Sequence, residues 1–382
     1  MPTAVWVATL VVAALVAGSC VYCLLSIIAA RRYLAVRPPS ADRLPPISVL
    51  KPLSGLDLGL EQNLRSFFTQ EYPDYELLFS VRRADDPAAA VVDRLKQEFP
   101  TRSATLIVTG DPPYPNHKVF ALDCMTRAAR HDILVMSDSD IRAGSRFLET
   151  VAAEFGNPRT GLITCPYRAV PGPSFWSIVE AVMMNTEFLS GVLTARMLEG
   201  MKFAIGPTIA ARRGVLADLG GFDVLQAYLA EDFVMGKLAA DRGHGVVLSS
   251  FVIEHHIGST PFRANASHRL RWCRSTRRSR PAGYAGQVFT NPTPLALALL
   301  CLAPGLWPVA MVALLLRAMN AWAVASWILH DPLCSRRWWL IPLADLISFA
   351  FWVAGFFGST IQWRGRRYLL LRDGRFEPTS GA

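Results

Sequence analysis

Charged side chains are scarce in this 382-residue chain. Asp, Glu, Lys and Arg make up 18% of it, against 52% hydrophobic residues, where soluble domains average about 25% charged. That excludes a disordered or acidic scaffold, which needs much charge and little apolar mass, and it argues against a wholly soluble protein. Residues 1–30 hold no charged side chain at all, and no acid occurs in 263–280. No internal repeat or low-complexity tract is visible. Cysteine is present but scattered, seven in all. Cys20 and Cys23 form a C-x-x-C inside an apolar run, with no second pair or histidine partner, which excludes a zinc site. The scatter suits a reducing compartment. The length allows about two to three domains.

The apolar run at 5–30 is long enough to span a bilayer, which takes about 20 residues as a helix, and Arg31 and Arg32 follow at once. A cleaved signal peptide has the opposite order and a shorter core. The pattern predicts an uncleaved anchor with its N-terminus outside and the arginine pair in the cytoplasm. A second apolar region covers 292–362. It predicts three C-terminal helices, over 295–316, 318–329 and 338–361, the first either one span or broken in two at Pro304 and Pro308, one of them a candidate re-entrant segment, with Trp338 and Trp339 placed as an interfacial belt. Arg336 and Arg337 flank the last span on one side and Arg364, Arg366 and Arg367 on the other, so both groups cannot be cytoplasmic and the topology stays open. Asp345 within that span calls for a bond to a neighbouring helix or contact with a lipid headgroup.

Between these regions a Pro-rich linker at 37–46 leads into an alternation of short apolar runs and helical patterns. Strands are predicted at 47–50, 76–81, 105–108 and 133–136, with helices at 60–70, 88–99 and 118–130. This spacing means a mostly parallel α/β sheet with helices on both faces. The chain thus divides into an anchor at 1–32, a linker at 33–46, a cytoplasmic catalytic domain at 47–260, a basic interfacial helix at 261–290, transmembrane helices at 291–362 and a basic tail at 363–382.

Ligands of such sheets bind beyond the carboxyl ends of the strands, where four motifs fall. Lys51-Pro52-Leu53-Ser54-Gly55 makes a tight turn able to approach a nucleotide, or an ordinary loop. Asp85-Asp86-Pro87 offers carboxylates to a base or ribose, or an N-cap ahead of Pro87. Asp138-Ser139-Asp140 directly follows an apolar strand, and two carboxylates at i and i+2 there can converge on Mg²⁺ or Mn²⁺, which take oxygen ligands and bridge phosphates. Glu231-Asp232 opens a helix after the Gly220-Gly221 turn, serving either chemistry or the helix dipole. The acid-free stretch 263–280, with seven arginines, reads as interfacial and positive-inside. That leaves His268-x-x-Arg271-Trp272 unexplained, in which Arg271 offers a phosphate clamp and Trp272 a stacking face. Nucleic acid is not an expected partner.

Taken in order, these motifs resemble the nucleotide-sugar glycosyltransferases of the GT-A fold, family 2-like, and most of all the ceramide glucosyltransferases of glycosyl transferase family 21 together with the bacterial hopanoid-associated glycosyltransferases. The strings from Ser48 to Gly55, Asn116 to Val119, Ala230 to Lys237 and Trp363 to Tyr368 carry the likeness. The resemblance implies a GT-A domain between membrane regions, a UDP-sugar donor, a lipid acceptor and a divalent cation, Mg²⁺ or Mn²⁺. It implies that Asp85 or Asp86 touches uridine, that Pro52, Gly55 and Lys118 help bind the donor, and that Asp138 and Asp140 hold ribose and metal–diphosphate. It implies Asp232 as general base, with Glu231 as the alternative, and Arg271 and Trp272 on the diphosphate and the sugar or acceptor. His268 departs from the usual Gln or Arg, and Arg82-Arg83 precede Asp85 where acids are common. The implied reaction is a single inverting displacement at the anomeric carbon. The donor sugar, glucose or N-acetylglucosamine, and the acceptor, ceramide or a hopanoid such as bacteriohopanetetrol, stay open, with the Arg- and Ala-rich composition favouring a hopanoid and a bacterial inner membrane. A processive polysaccharide synthase shares the motifs but threads its polymer through more helices than are found here. An inactive lipid-binding scaffold would keep the fold without the complete acidic series.

Overall fold

The computed structural model describes residues 3–37, 44–259, 261–363 and 366–379. It divides into two compact units, a sheet unit (37–172, 201–258 and 371–382) and a helical unit (1–36, 173–200 and 259–370). The expected strands form, as β1 (Ile47–Pro52), β2 (Tyr75–Val81), β3 (Ser103–Val108) and β4 (Ile133–Ser137). So do the helices between them, Leu60–Phe68, Pro87–Glu98 and His117–Ala128. β1, β2 and β4 are buried along almost their whole length, which is why they read as mostly apolar runs rather than alternating ones, with Ser48, Lys51, Glu76 and Ser80 among their buried polar exceptions.

Six more strands complete the sheet unit's two main sheets: β5 (Ile141–Arg142), β6 (Thr160–Thr164), β7 (Tyr167–Val170), β8 (Thr208–Arg212), β9 (Gly245–Leu248) and β10 (Ile253–His256). The main sheet runs β3-β2-β1-β4-β8-β6-β9. Only β8 runs against its neighbours β4 and β6, so the sheet is mixed and mostly parallel. β5, β10 and β7 form a small second sheet. Leu50, Leu78, Val119, Leu122, Leu134 and Met136 pack in one core cluster of this unit. Full burial of each such side chain is worth about 1.5–3 kcal/mol.

In the helical unit, Thr3–Leu34 is one helix, closed by Arg31 and Arg32 in its last turn. Four helices among the described residues are long and apolar enough to cross a membrane: Thr3–Leu34, Phe175–Glu199, Pro304–Ile328 and Trp338–Gly355. Pro281–Thr290 and Pro292–Leu302 form a further pair, bent by 61°. Of the two readings of 295–316, the broken one forms: Ala303 leaves helical geometry ahead of Pro304, since proline disfavours helix in the residue before it, while Pro308 sits in the first turn of the next helix. Other expectations are corrected here. The stretch 318–329 is no separate helix but the end of Pro304–Ile328. The last helix stops at Gly355 rather than 361, and the tail contains strands, β11 (Thr360–Trp363), β12 (Arg366–Leu370) and β13 (Phe376–Pro378). Arg364 lies outside the described residues, as do 38–43 of the linker. The basic stretch is a single helix, Phe262–Ser279, ended ahead of Pro281.

The segment Phe175–Glu199 corrects the expectation of one uninterrupted domain over 47–260. β6 before it and β8 after it are hydrogen-bonded neighbours in one sheet, so its ends cannot lie on opposite sides of a bilayer. Chain after 371 returns to the sheet unit, where the Phe376 N–H donates to the Ala227 carbonyl at 2.9 Å. Asp345 bonds a neighbouring helix, as one of its two expected roles required. It pairs with Arg317 at 2.7 Å and accepts from Thr293 Oγ1 at 2.6 Å, with Arg317 2% and Asp345 1% exposed.

Candidate active site

The densest charge cluster in the sheet unit lies past the carboxyl end of β4. Ser137 ends the strand, and Asp138, Ser139 and Asp140 turn the chain into β5. Lys118, in the first turn of helix His117–Ala128, reaches Asp138 Oδ1 at 2.7 Å and Glu231 Oε1 at 3.4 Å. Asn116 caps that helix: its Oδ1 accepts from Val119 N–H at 3.2 Å, and its Nδ2 donates to the Tyr228 carbonyl at 2.9 Å. Fully buried, Asn116 thus ties the Lys118 helix to the loop that delivers Glu231 and Asp232.

Glu231 and Asp232 open the helix Glu231–Asp241, where the dipole favours acids. Gly206 faces Asp232 closely: a β-carbon there would lie 2.7 Å from Asp232 Oδ2. The Gly206 carbonyl accepts from Lys118 Nζ at 3.4 Å, so this one glycine touches both sides of the cluster. Gly236 lets the same helix lie on the backbone of Phe203 and Ala204, where a β-carbon would come within 2.1 Å of the Ala204 nitrogen.

Electrostatics separates the acids. Burial, reinforced by Glu231, pushes the Asp232 carboxyl up to about 7. Burial also raises Asp138, against the pull of Lys118. Burial works against Asp140 ionising too, but His255, Lys51 and Lys118 outweigh it and its pKa is lowered. For Lys118, burial opposes the charge, yet Asp138 and Glu231 hold its pKa above the usual lysine range.

Three further side chains belong to this centre: His255 and Asp57, which escape the sequence reading, and Lys51, which is named there only as the start of a turn. Lys51, in β1, is fully buried. Its Nζ donates to the Asp138 carbonyl at 2.8 Å and Ser137 Oγ at 3.2 Å, and sits 3.7 Å from the Phe67 ring centroid. Burial lowers its pKa to about 7. His255 Nε2 lies 3.1 Å from Asp140 Oδ2, brought there by the pairing of β10 with β5. Asp57 accepts from Ser139 Oγ at 2.5 Å. The signal for His255 is its place in β10, a short strand with two histidines, but its partner is 115 residues away in sequence.

Asp85 and Asp86 lie at the end of β2 and make different contacts. Asp86 is the N-cap of Pro87–Glu98, accepting from Ala88 N–H at 2.9 Å, and it also accepts from Gly55 N–H at 3.0 Å. It therefore stitches the turn after β1, with Pro52 at the end of that strand, to the turn after β2. Asp85 is exposed and pairs with Arg83 at 3.0 Å, while Arg82 pairs with Asp111. His268, Arg271 and Trp272 belong to the helical unit. Trp272 lies one turn from His268, ring centroids 4.3 Å apart, and the Arg271 guanidinium is 6.0 Å from the Trp363 ring.

Oxygen donors at the ends of strands, with one buried carboxylate oxygen left over, suit a phosphate-bridging cation. Asp140 Oδ1 is buried and has no hydrogen-bond partner. Among the described residues no cluster of three or more His, Cys, Asp or Glu side chains forms a complete metal cage.

Comparison with known proteins agrees with this picture. Ceramide glucosyltransferase 1 of Caenorhabditis elegans is 31% identical over 209 residues, 54% of this chain and 44% of the relative. Ceramide glucosyltransferase 3 of the same organism is 27% identical over 230 residues, 60% of this chain and 50% of the relative. The chain thus spans about half the length of the curated relatives it matches. Among solved structures, the mannosyltransferase PcManGT from Pyrobaculum calidifontis, in complex with GDP-Man and Mn²⁺, is similar with a TM-score of 0.53 at 20% identity, covering 90% of this chain and 98% of that one. That likeness establishes the GT-A fold. The family model "Glycosyl transferase family 21" matches residues 9–376, nearly the whole chain, both membrane regions included, and the protein belongs to that family.

Proposed function

We propose that the protein is an inverting membrane glycosyltransferase that moves glucose or N-acetylglucosamine from a UDP-sugar to the hydroxyl of a lipid, a hopanoid such as bacteriohopanetetrol or a ceramide. The observation that carries the reading is the cluster of Asp138, Lys118, Glu231 and Asp232 past the end of β4, where a doubly wound sheet binds its ligands. The names of its relatives support the lipid acceptor, and the UDP donor is what the resemblance of the motifs to the family implies.

In this reading Asp232 is the general base. An acceptor hydroxyl is a weak nucleophile, and a carboxylate within hydrogen-bond reach removes its proton as the new bond forms. A carboxyl poised near 7 is matched to that task, because a large share of it is ionised at neutral pH and it is basic enough to take the proton. Glu231 is the alternative base and a partner of Lys118. Lys118 holds Asp138 in place and adds positive charge where the leaving diphosphate becomes more negative. Gly55, Pro52, Asp85 and Asp86 line the nucleoside end, with Asp86 holding the two turns together. Arg271 and Trp272 supply, by the motif they match, a guanidinium for phosphate and an aromatic face for sugar or acceptor.

Asp138 and Asp140 fit a hard divalent cation, Mg²⁺ or Mn²⁺, because both are oxygen donors and Asp140 Oδ1 is buried without a partner. When bound, the cation neutralises charge on the departing UDP. His255 orients Asp140 from behind. The sheet unit faces the cytoplasm, on the side of Arg31 and Arg32.

The test is a membrane assay of the expressed protein with UDP-glucose or UDP-N-acetylglucosamine and ceramide or bacteriohopanetetrol, products read by mass spectrometry. A single glycolipid is expected. A polymer, or UDP binding without any product across all pairs, contradicts the reading.

A further inference from the structure

A cavity of about 400 Å³ opens in the helical unit between the helix Phe262–Ser279 and the hairpin of β11 and β12. Arg271, Arg274 and Arg367 line it, together with Ser267, Thr360 and Gln362. None of its lining residues is acidic. Three guanidiniums lining one small space give it a positive potential that attracts an anion. The remaining lining, Leu270 and Ile361, is apolar.

The cavity also has a defined level relative to lipid. The helix Trp338–Gly355, apolar and long enough to span, ends just before β11. Beyond it Phe357 is 68% exposed. The basic helix grips this end: Arg274 Nε donates to the Phe357 carbonyl at 3.1 Å and Arg277 Nη2 to the Gly358 carbonyl at 2.7 Å. These contacts hold the arginine row just past the end of this candidate span, where a chain leaving the hydrocarbon would meet headgroups. Gly358, at φ +77°, leaves room for the Arg274 guanidinium, which would stand 3.0 Å from a β-carbon there.

We propose that this cavity binds the phosphodiester headgroup of an anionic phospholipid, with the Arg274 and Arg367 guanidiniums and the hydroxyls of Ser267 and Thr360 on the phosphate and Leu270 and Ile361 against the glycerol. Arg367 and Gln362 are the hairpin's contribution, and neither belongs to the proposed transfer machinery. The shared chemistry is a phosphate, and three sources compete for it: a lipid headgroup, free phosphate and the diphosphate of UDP. An exposed aromatic at the end of a spanning helix favours lipid. The inference does not rest on the proposed activity, because binding is read without turnover.

The experiment is thermal unfolding of the full chain in zwitterionic detergent, with phosphatidylglycerol, phosphatidylcholine, inorganic phosphate or UDP added. Phosphatidylglycerol is expected to raise the midpoint and phosphatidylcholine to leave it unchanged. Arg367→Gln should weaken the half-saturating phosphatidylglycerol concentration about tenfold, as loss of a charge-assisted bond does. Arg366→Gln removes the same charge from the opposite face of the strand and should leave the response intact. Gln362→Leu is read in the same way as Arg367→Gln should that variant not fold, and native mass spectrometry counts the lipid retained by each. Equal loss in both arginine variants would reduce the effect to diffuse attraction and overturn the site. So would an equal response to phosphatidylcholine, or a full response to phosphate or UDP alone.

Discussion

Gly206 leaves Asp232 no spare room: a β-carbon on Gly206 would lie 2.7 Å from Asp232 Oδ2. A methyl group at that distance must displace the carboxylate, since it belongs to a short side chain at the start of a packed helix. Gly206→Ala is therefore expected to retain the fold, measured by circular dichroism, and to lower kcat by about tenfold or more, a modest share of what a general base contributes. Unchanged kcat would detach Asp232 from the chemistry.

The raised Asp232 carboxyl predicts the pH profile. A general base acts in its ionised form, so activity should be lost as pH falls through about 7 and should hold above it. The sign follows from burial, which favours the neutral acid. The profile of kcat/KM between pH 5.5 and 8.5 measures it. A limb that appears only at the ordinary carboxylate range would move the base elsewhere.

Asp140 is the proposed metal ligand least occupied by the protein, with Oδ1 buried and unbonded. Asp140→Ala should abolish the dependence of UDP binding on added Mn²⁺, measured by isothermal titration calorimetry, and EDTA should have the same effect on the unmodified protein. Undiminished Mn²⁺-dependent binding by the variant would remove Asp140 from the metal site.

Arg317 and Asp345 form a buried pair joining two candidate spans. Asp345→Leu leaves Arg317 charged and unpaired, at about 3–5 kcal/mol of stability. The double variant Arg317→Met, Asp345→Leu should recover most of that, because apolar replacement of both partners removes the desolvation penalty along with the attraction. Thermal unfolding of the three proteins in detergent decides it: equal losses in single and double variants would mean that the pair itself carries the stability.

The strands β1 to β4 and the helices between them were legible because each is a local pattern, an apolar run of four to seven residues or an amphipathic stretch between turns. The acidic motifs were legible for the same reason, being short and fixed to strand ends. Phe175–Glu199 was not, because Glu180, Asn185 and Glu187 interrupt its apolar run. Their partners come from distant chain, as when Glu187 accepts from Asn291 Nδ2 at 3.0 Å and Asn185 donates to Asp331 at 3.0 Å. Lys51 reads only as the start of a turn, and its burial against β4 and Phe67 needs those elements in place. His255 gains meaning only through the register of β10 on β5. The two roles open to Asp85 and Asp86 separate in the same way: the N-cap and the Gly55 contact of Asp86 need the turn after β1 in place, which spacing alone does not give.

The most direct test of the account compares the unmodified protein with Asp232→Asn in two measurements on one preparation, UDP-sugar binding and glycolipid formed per unit time. The account predicts binding within about twofold and turnover reduced by at least about a hundredfold, because the substitution keeps the shape and removes the base. Turnover that survives the substitution would contradict it.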